Sequence, residues 1–277
     1  MLGRDVAEVF GARGHELVLL AREDLDITDG PRVDAAVARS APDVIVNCAA
    51  WTDVDGAEAH EREAMEVNDT GAGLLAVAAG TVGARIVYPS TDYVFDGNKG
   101  APYAESDMPH PLSAYGRTKL AGETSVAVAN SRHLIVRTSW LFGLGGGNFI
   151  ETMLRLSAEQ PEVLVVSDQV GAPTYTRHLA QAIALMSESD ANGIHHVTSG
   201  GSCSWFEFAQ EIFDQAGVGT RVMAARTQML GRPAPRPAYS VLAAESPETP
   251  RLPDWRTALA EYLAERDRVA ANASGAA

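Results

Sequence analysis

Short apolar runs alternate with helix-length segments along the first half of this chain. That alternation restricts the fold to a parallel sheet wrapped by helices. Residues 4 to 13 place Val6, Val9 and Phe10 on one helical face, and Gly14 closes that helix before the apolar run Leu17 to Leu20. A second helix over 30 to 40 carries Pro31 in its first turn and leads into the run Asp43 to Asn47. A helical stretch over 61 to 82 precedes Arg85 to Thr91, and a helix over 114 to 130 precedes His133 to Arg137. The expected architecture is α/β, a doubly wound parallel sheet in which Leu17 to Leu20 forms one of the buried strands.

Beyond residue 145 the rhythm loosens. A helix is expected near 148 to 158, an apolar stretch at Val163 to Val166, a helix near 177 to 188 and a strand at His195 to Thr198. Proline and arginine crowd into residues 231 to 240, which read as a loop. The expected organisation is a dinucleotide-binding domain over 1–145, a smaller interleaved substrate lobe over 146–265 and a disordered tail over 266–277, where small residues dominate.

With 277 residues, 46% of them hydrophobic, the chain can bury a full core. No run reaches the roughly 18 apolar residues of a membrane span, and the start lacks a secretory apolar stretch, so a cytoplasmic protein without membrane contact is expected. The net charge of -14 opposes nucleic acid as a partner. Cys48 and Cys203 cannot build a disulfide framework and are expected as buried fillers. Of the 22 basic residues only Lys99 and Lys119 are lysine, so a lysine here invites a chemical explanation.

Lys119 follows Tyr115 by four positions at the start of a helix, which puts an ammonium and a phenol on one face. A fixed positive charge favours the phenolate and makes the phenol a usable acid near neutral pH. Reduction of a ketone needs such a donor, because hydride arriving at carbon drives negative charge onto oxygen. Chance alone would place such a pair ~0.05 times in a chain of this composition, which favours the catalytic interpretation over an accidental surface pair. Ser90 and Thr91 lie just past a strand's C-terminal end, where open parallel sheets bind ligands. Either hydroxyl can serve the substrate carbonyl or cap a turn, and Thr91 is preferred.

Seven blocks in order extend this local pattern: DLDITD at 24 to 29, NCAAWTDVDGAE at 47 to 58, STDYVFDG at 90 to 97, PLSAYGRTKLAGE at 111 to 123, RTSWLFG at 137 to 143, GNFIETML at 147 to 154 and SDQVGAPT at 167 to 174. Together they resemble the extended short-chain dehydrogenase/reductase superfamily and, within it, the dTDP-4-dehydrorhamnose reductase family. The resemblance implies a Rossmann-like fold and a catalytic set of Tyr115, Lys119 and Thr91. It also implies sugar contacts from Thr91, Asp92 and Trp140, and a cofactor path along Asp26, Ile27, Ala49, Ala50 and Trp51, with Tyr115 and Lys119 at its end. Gln169 and Arg236 are candidates for the sugar nucleotide, Arg236 for its diphosphate. Members usually carry tyrosine at position 51 and asparagine at 239, where this chain has Trp51 and Tyr239. Arg22 suits a 2′-phosphate although Glu23 and Asp24 adjoin it, so NADPH is expected, with NADH as the alternative.

Relatives open with a buried strand and a glycine-rich turn, of which Gly3 would be the last glycine. The resemblance thus implies that about ten residues are absent, most simply through a start assigned at an internal methionine. The expected activity is reduction of the C4 ketone of dTDP-4-dehydro-L-rhamnose to dTDP-L-rhamnose by a homodimer. Some relatives hold magnesium at their interface, but no block here fixes its ligands. The alternatives are another dTDP-deoxyhexose ketoreductase, such as a dihydrostreptose synthase, and a non-catalytic module like the regulatory subunit of methionine adenosyltransferase. Tyr93 after Asp92 disfavours a dehydratase, which places an acidic residue there.

Overall fold

The structure, a computed structural model, describes residues 1–275. Its elements begin with α1 (Leu2–Ala12), α2 (Gly30–Ser40), β1 (Val44–Val46), α3 (Val54–Ala59) and α4 (Glu61–Met65). A π-helical segment, Glu66–Gly71, joins α4 to α5 (Ala72–Thr81), and then come β2 (Arg85–Thr91), α6 (Ala114–Ala129) and β3 (His133–Thr138). The second half contributes α7 (Phe149–Glu159), β4 (Glu162–Val166), α8 (Thr176–Ser187), β5 (Gly193–His196), α9 (Trp205–Ala216), β6 (Arg221–Ala225) and α10 (Trp255–Gly275).

The central sheet is parallel with order β1-β2-β3-β5, registered through Ile45 on Ile86, Val87 on Leu134 and Val136 on His195. Successive side chains of a strand point to opposite faces, and the core divides accordingly. Ile86, Tyr88 and Ile135 pack with Val33, Val37, Leu75 and Val126 of α2, α5 and α6. Val87, Leu134 and Val136 pack with Val6, Phe10, Leu179 and Ile183 of α1 and α8. Each such fully buried side chain contributes about 1.5–3 kcal/mol relative to exposure, which is why continuous apolar strands choose this doubly covered position. A separate core gathers Val163 and Val165 with Phe208, Phe213, Trp255, Leu259 and Tyr262 around the parallel pair β4-β6.

Four expectations fail. Leu17 to Leu20 form no strand and lie open, with Val18 at 63% and Leu19 at 68% exposure. An apolar run is buried as a strand only when a neighbouring strand takes its backbone groups, and β1 pairs on one side alone, with β2. Cys48, expected in the core, is exposed just past that edge strand, whereas Cys203 is buried. The tail expected to be disordered from residue 266 instead continues α10 to Gly275, with Arg266 bonded to Glu151 of α7; residues 276 and 277 lie outside the described residues. Nor is the stretch over 61 to 82 a uniform α-helix, since its middle turn is π.

Helix α6 is set against its surroundings at unusually short range. Ser113 caps it by accepting from the Gly116 N–H. A Cβ at Gly116 would fall 2.3 Å from the Tyr93 carbonyl oxygen, and one at Gly122 would fall 2.0 Å from that of Asn68. Only glycine permits this approach, and it fixes the depth at which Tyr115 and Lys119 sit. From the same helix Glu123 receives Arg137 of β3 in a two-pronged pair, Nε at 2.9 Å and a terminal nitrogen at 2.7 Å, and also the hydroxyl of Ser90 on β2. All three side chains are buried.

Breaking this pair leaves an uncompensated buried charge, at a cost of about 3–5 kcal/mol. Glu123→Gln should lower the unfolding free energy by that amount in urea denaturation, and the paired change Glu123→Leu with Arg137→Met should recover most of it. A loss below ~1 kcal/mol in the single variant would refute this account of α6 anchoring.

Candidate active site

At the C-terminal ends of the central strands four segments meet: Asn47 to Trp51 after β1, Thr91 to Tyr93 after β2, Ser139 and Trp140 after β3, and the first turn of α6. Thr91 ends β2 with its hydroxyl accepting the Tyr93 N–H at 3.1 Å, and it donates to Asp92 Oδ1 at 3.1 Å. The turn-capping and site-facing roles of Thr91 therefore coexist. Ser90, the alternative hydroxyl, is turned inward and committed to Glu123.

Tyr115 lies beside this turn, its ring edge-on to Tyr93 at 6.0 Å. Burial pushes its phenol up to about 12, the nearby Asp92 carboxylate adds to the rise, and hydrogen bonding with Thr91 opposes it. Lys119 does not supply the lowering expected from their spacing. Its Nζ donates to the Pro89 carbonyl at 2.8 Å and stands 3.8 Å over the Tyr88 ring. Four-residue spacing puts two side chains on one face but leaves their tips free to choose partners. Desolvation brings the Lys119 ammonium down to about 7, against the pull of Glu123. Asp92 moves the other way: burial raises it to about 7 against the opposing effect of the nearby Ser240 and Thr91 hydroxyls, and its Oδ2 is buried with no hydrogen-bond partner.

Asn68, which the sequence did not single out, ties these parts together. Its amide accepts the Trp51 N–H at 2.8 Å and donates to the Trp51 carbonyl and to Thr118, while its backbone carbonyl accepts the Tyr88 hydroxyl. It lies in the π-helical segment, a local irregularity of the kind that collects at functional sites and that residue spacing does not announce. Glu58 holds the α6 entrance by accepting the Ala114 N–H at 2.8 Å.

The residues expected along a cofactor path lie in the first turn of α1, in the loop before α2 and in the turn after β1. Ala49 donates its N–H to Asn47 Oδ1, and Asn47 Nδ2 is buried without a partner in that same turn. Gly3 brings the first turn of α1 to Cys48, with 3.3 Å between a built Cβ and the Cys48 Cβ. Asp26 is exposed, and its carboxyl is held low by hydrogen bonds from the Thr28 backbone and hydroxyl, with Arg22 nearby. Ile27 is buried against Gly71. An orphaned polar atom beside Ala49, a buried lysine using one of three donors, and an exposed acidic turn fit a dinucleotide laid across these strand ends.

The remaining sugar-side candidates are dispersed. Trp140 has a left-handed backbone, φ 47°, and stacks face to face on Trp205 at 3.5 Å. A non-glycine residue held there is kept by its surroundings, here the second indole. Gln169 is buried and donates to Thr227. Arg236 lies near Tyr93, whose phenol its charge draws down against burial, but its guanidinium is engaged by Asp55.

This arrangement has counterparts among known proteins. The family model for the RmlD substrate binding domain matches residues 1–268. A dTDP-4-dehydrorhamnose reductase of Streptomyces griseus is 44% identical over 94% of this chain and 89% of its own length. A dTDP-4-keto-6-deoxy-D-glucose reductase of Streptomyces niveus is 43% identical over 94% and 92%. The crystal structure of dTDP-4-dehydrorhamnose reductase from Bacillus anthracis in complex with NADP superposes with a TM-score of 0.93 at 38% identity, covering 95% of each chain. On the strength of a match running through both cores and the whole strand-end site, the chain belongs to the RmlD substrate binding domain family.

Proposed function

We propose that this protein reduces the C4 ketone of dTDP-4-dehydro-L-rhamnose to dTDP-L-rhamnose, with NADPH as the reductant. The observation that carries the reading is Tyr115 held protonated beside Thr91 at the strand ends, one helical turn from a buried Lys119. The curated relative and the NADP-bound structure carry names of the same chemistry. When bound, the nicotinamide supplies hydride to the carbonyl carbon.

The chain's own groups handle the charge that follows. Burial keeps the Tyr115 proton in place until negative charge appears on the ketone oxygen, and Tyr115 then donates it there. Thr91 adds a hydroxyl beside Tyr115 that can donate to the same oxygen once it turns from Asp92 Oδ1. Lys119, with two donors beyond the Pro89 carbonyl, would hold hydroxyls of the ribose and so position the nicotinamide. Asp92 offers its unpartnered Oδ2 to a sugar hydroxyl, which relieves an uncompensated buried atom. Trp140 presents an indole braced by Trp205.

A second reading, another dTDP-deoxyhexose ketoreductase, is favoured by one of the relatives and by Tyr239 in place of the usual asparagine. Stereochemical analysis of the product separates the two. A non-catalytic module would bind cofactor without turnover.

Tyr115→Phe should lower kcat about 10²- to 10⁴-fold in an NADPH-oxidation assay with the dTDP-keto sugar, while dTDP still binds. Retention of full rate would remove Tyr115 as the acid. A second outcome concerns Lys119. Its folded pKa lies near 7 against 10.5, so the ionised lysine destabilises the fold at pH 7 and below, and that cost fades as pH rises from 7 to 10.5. Lys119→Met should therefore be more stable than the parent at pH 7, with the gap closing toward pH 10 in denaturation series, and it should lose turnover. A gap independent of pH would contradict the desolvated ammonium.

A further inference from the structure

One carboxylate on α3 collects more positive charge than it can balance. Asp55 accepts Arg236 through both oxygens, at 3.1 and 2.9 Å, and the Ala234 N–H at 3.1 Å. Arg232 stands 3.6 Å away with its side chain 56% exposed. Two guanidiniums and a backbone amide thus converge on a single negative charge, leaving an excess of one positive charge in a protein whose net charge is -14. Arg236 is nearly buried and lies near Tyr93, whose ring lies against Tyr115.

The segment bearing both arginines is fixed at its far end. Pro237 and Ala238 press on Gly97, Tyr239 bridges to Val170, and Leu242 bridges to Tyr103. Toward α3, Asp55 is the side chain that holds it, and Gly231 before it has a left-handed φ of 56°. The Asp55 carboxyl is held below the usual range first by the Arg236 hydrogen bond, so it stays ionised as pH falls below neutral.

We propose that Asp55 occupies the place of a ligand's diphosphate: it keeps the Arg236 fork, with Arg232 alongside, filled until a more highly charged anion exchanges for it. A diphosphate brings two or more charges and several acceptor oxygens, which match two guanidiniums and an amide better than one carboxylate does. The exchange turns Arg236 from an internal ion pair to the ligand without moving the anchored residues 237 to 242. Affinity for the anion is thereby set by competition with Asp55, and an uncharged ligand gains nothing from the site. The identity of that ligand as a sugar nucleotide rests on the proposed function; the competition itself does not.

The test uses the full chain titrated calorimetrically with inorganic pyrophosphate, dTDP and thymidine. Asp55→Asn keeps the side-chain shape and removes the competing charge, so it should bind pyrophosphate and dTDP roughly three- to tenfold more tightly than the parent and thymidine equally. KM for the dTDP-keto sugar should fall by a similar factor, with kcat changing less. Equal or weaker binding of both anions by a variant with the parent's melting temperature overturns the proposal and makes Asp55 a support for Arg236. If Asp55→Asn does not fold, Asp55→Ser decides on the same readout: tighter pyrophosphate binding than the parent upholds the proposal, and equal or weaker binding overturns it. Tighter pyrophosphate binding by Asp55→Asn, in a protein that prefers dTDP no more than pyrophosphate, upholds the competition while sinking the nucleotide-sugar reading. The converse result, strong dTDP binding without a gain in Asp55→Asn, does the opposite.

Discussion

Glu123 and Arg137 meet in the interior where water cannot solvate either charge, and the placement of the strand ends and of α6 follows from that pair. Arg137 brings β3, Glu123 brings α6, and the Ser90 hydroxyl brings the last turn of β2 to the same two oxygens. Pro89, the neighbour of Ser90, presents the carbonyl that Lys119 grips, and Thr91 on the other side carries the site hydroxyl. A buried ion pair is poor stabilisation when weighed against an apolar core, but it tolerates few geometries. Here that intolerance fixes one helix against two strands.

Desolvation then sorts the site's ionisable groups. Tyr115 and Asp92 are pushed up and Lys119 is pushed down, because burial disfavours whichever form is charged. A protonated phenol, a carboxyl and an amine both near neutrality stand at the same strand ends. Such a site answers sharply to a ligand that brings charge or excludes water. The cluster around Asp55 does the same with fixed charges, since it concentrates arginines near the Tyr93–Tyr115 pair in an otherwise acidic molecule.

Much of this was legible in the chain. The runs at 43 to 47, 85 to 91 and 133 to 137 became neighbouring parallel strands because continuous apolar segments between helices have nowhere else to go. The blocks from 90 to 97 and 111 to 123 converge at the strand ends. Asn68 escaped notice because an isolated asparagine inside a helical stretch carries no periodic signal, and Asp55 because its partners lie far along the chain. Leu17 to Leu20 misled for a different reason: apolarity marks a run as fit for burial, but only a paired neighbour can accept its backbone.

The sequence by itself determined most of the element types, the parallel sense of the central sheet, and the family through its seven ordered blocks, since these depend on local periodicity and on residues fixed by position. Tertiary structure decided which partner each polar tip chose. Lys119 went to a carbonyl and an aromatic ring, Ser90 to Glu123, and Arg236 to Asp55, because a long or flexible side chain settles among groups that only folding brings within hydrogen-bond reach.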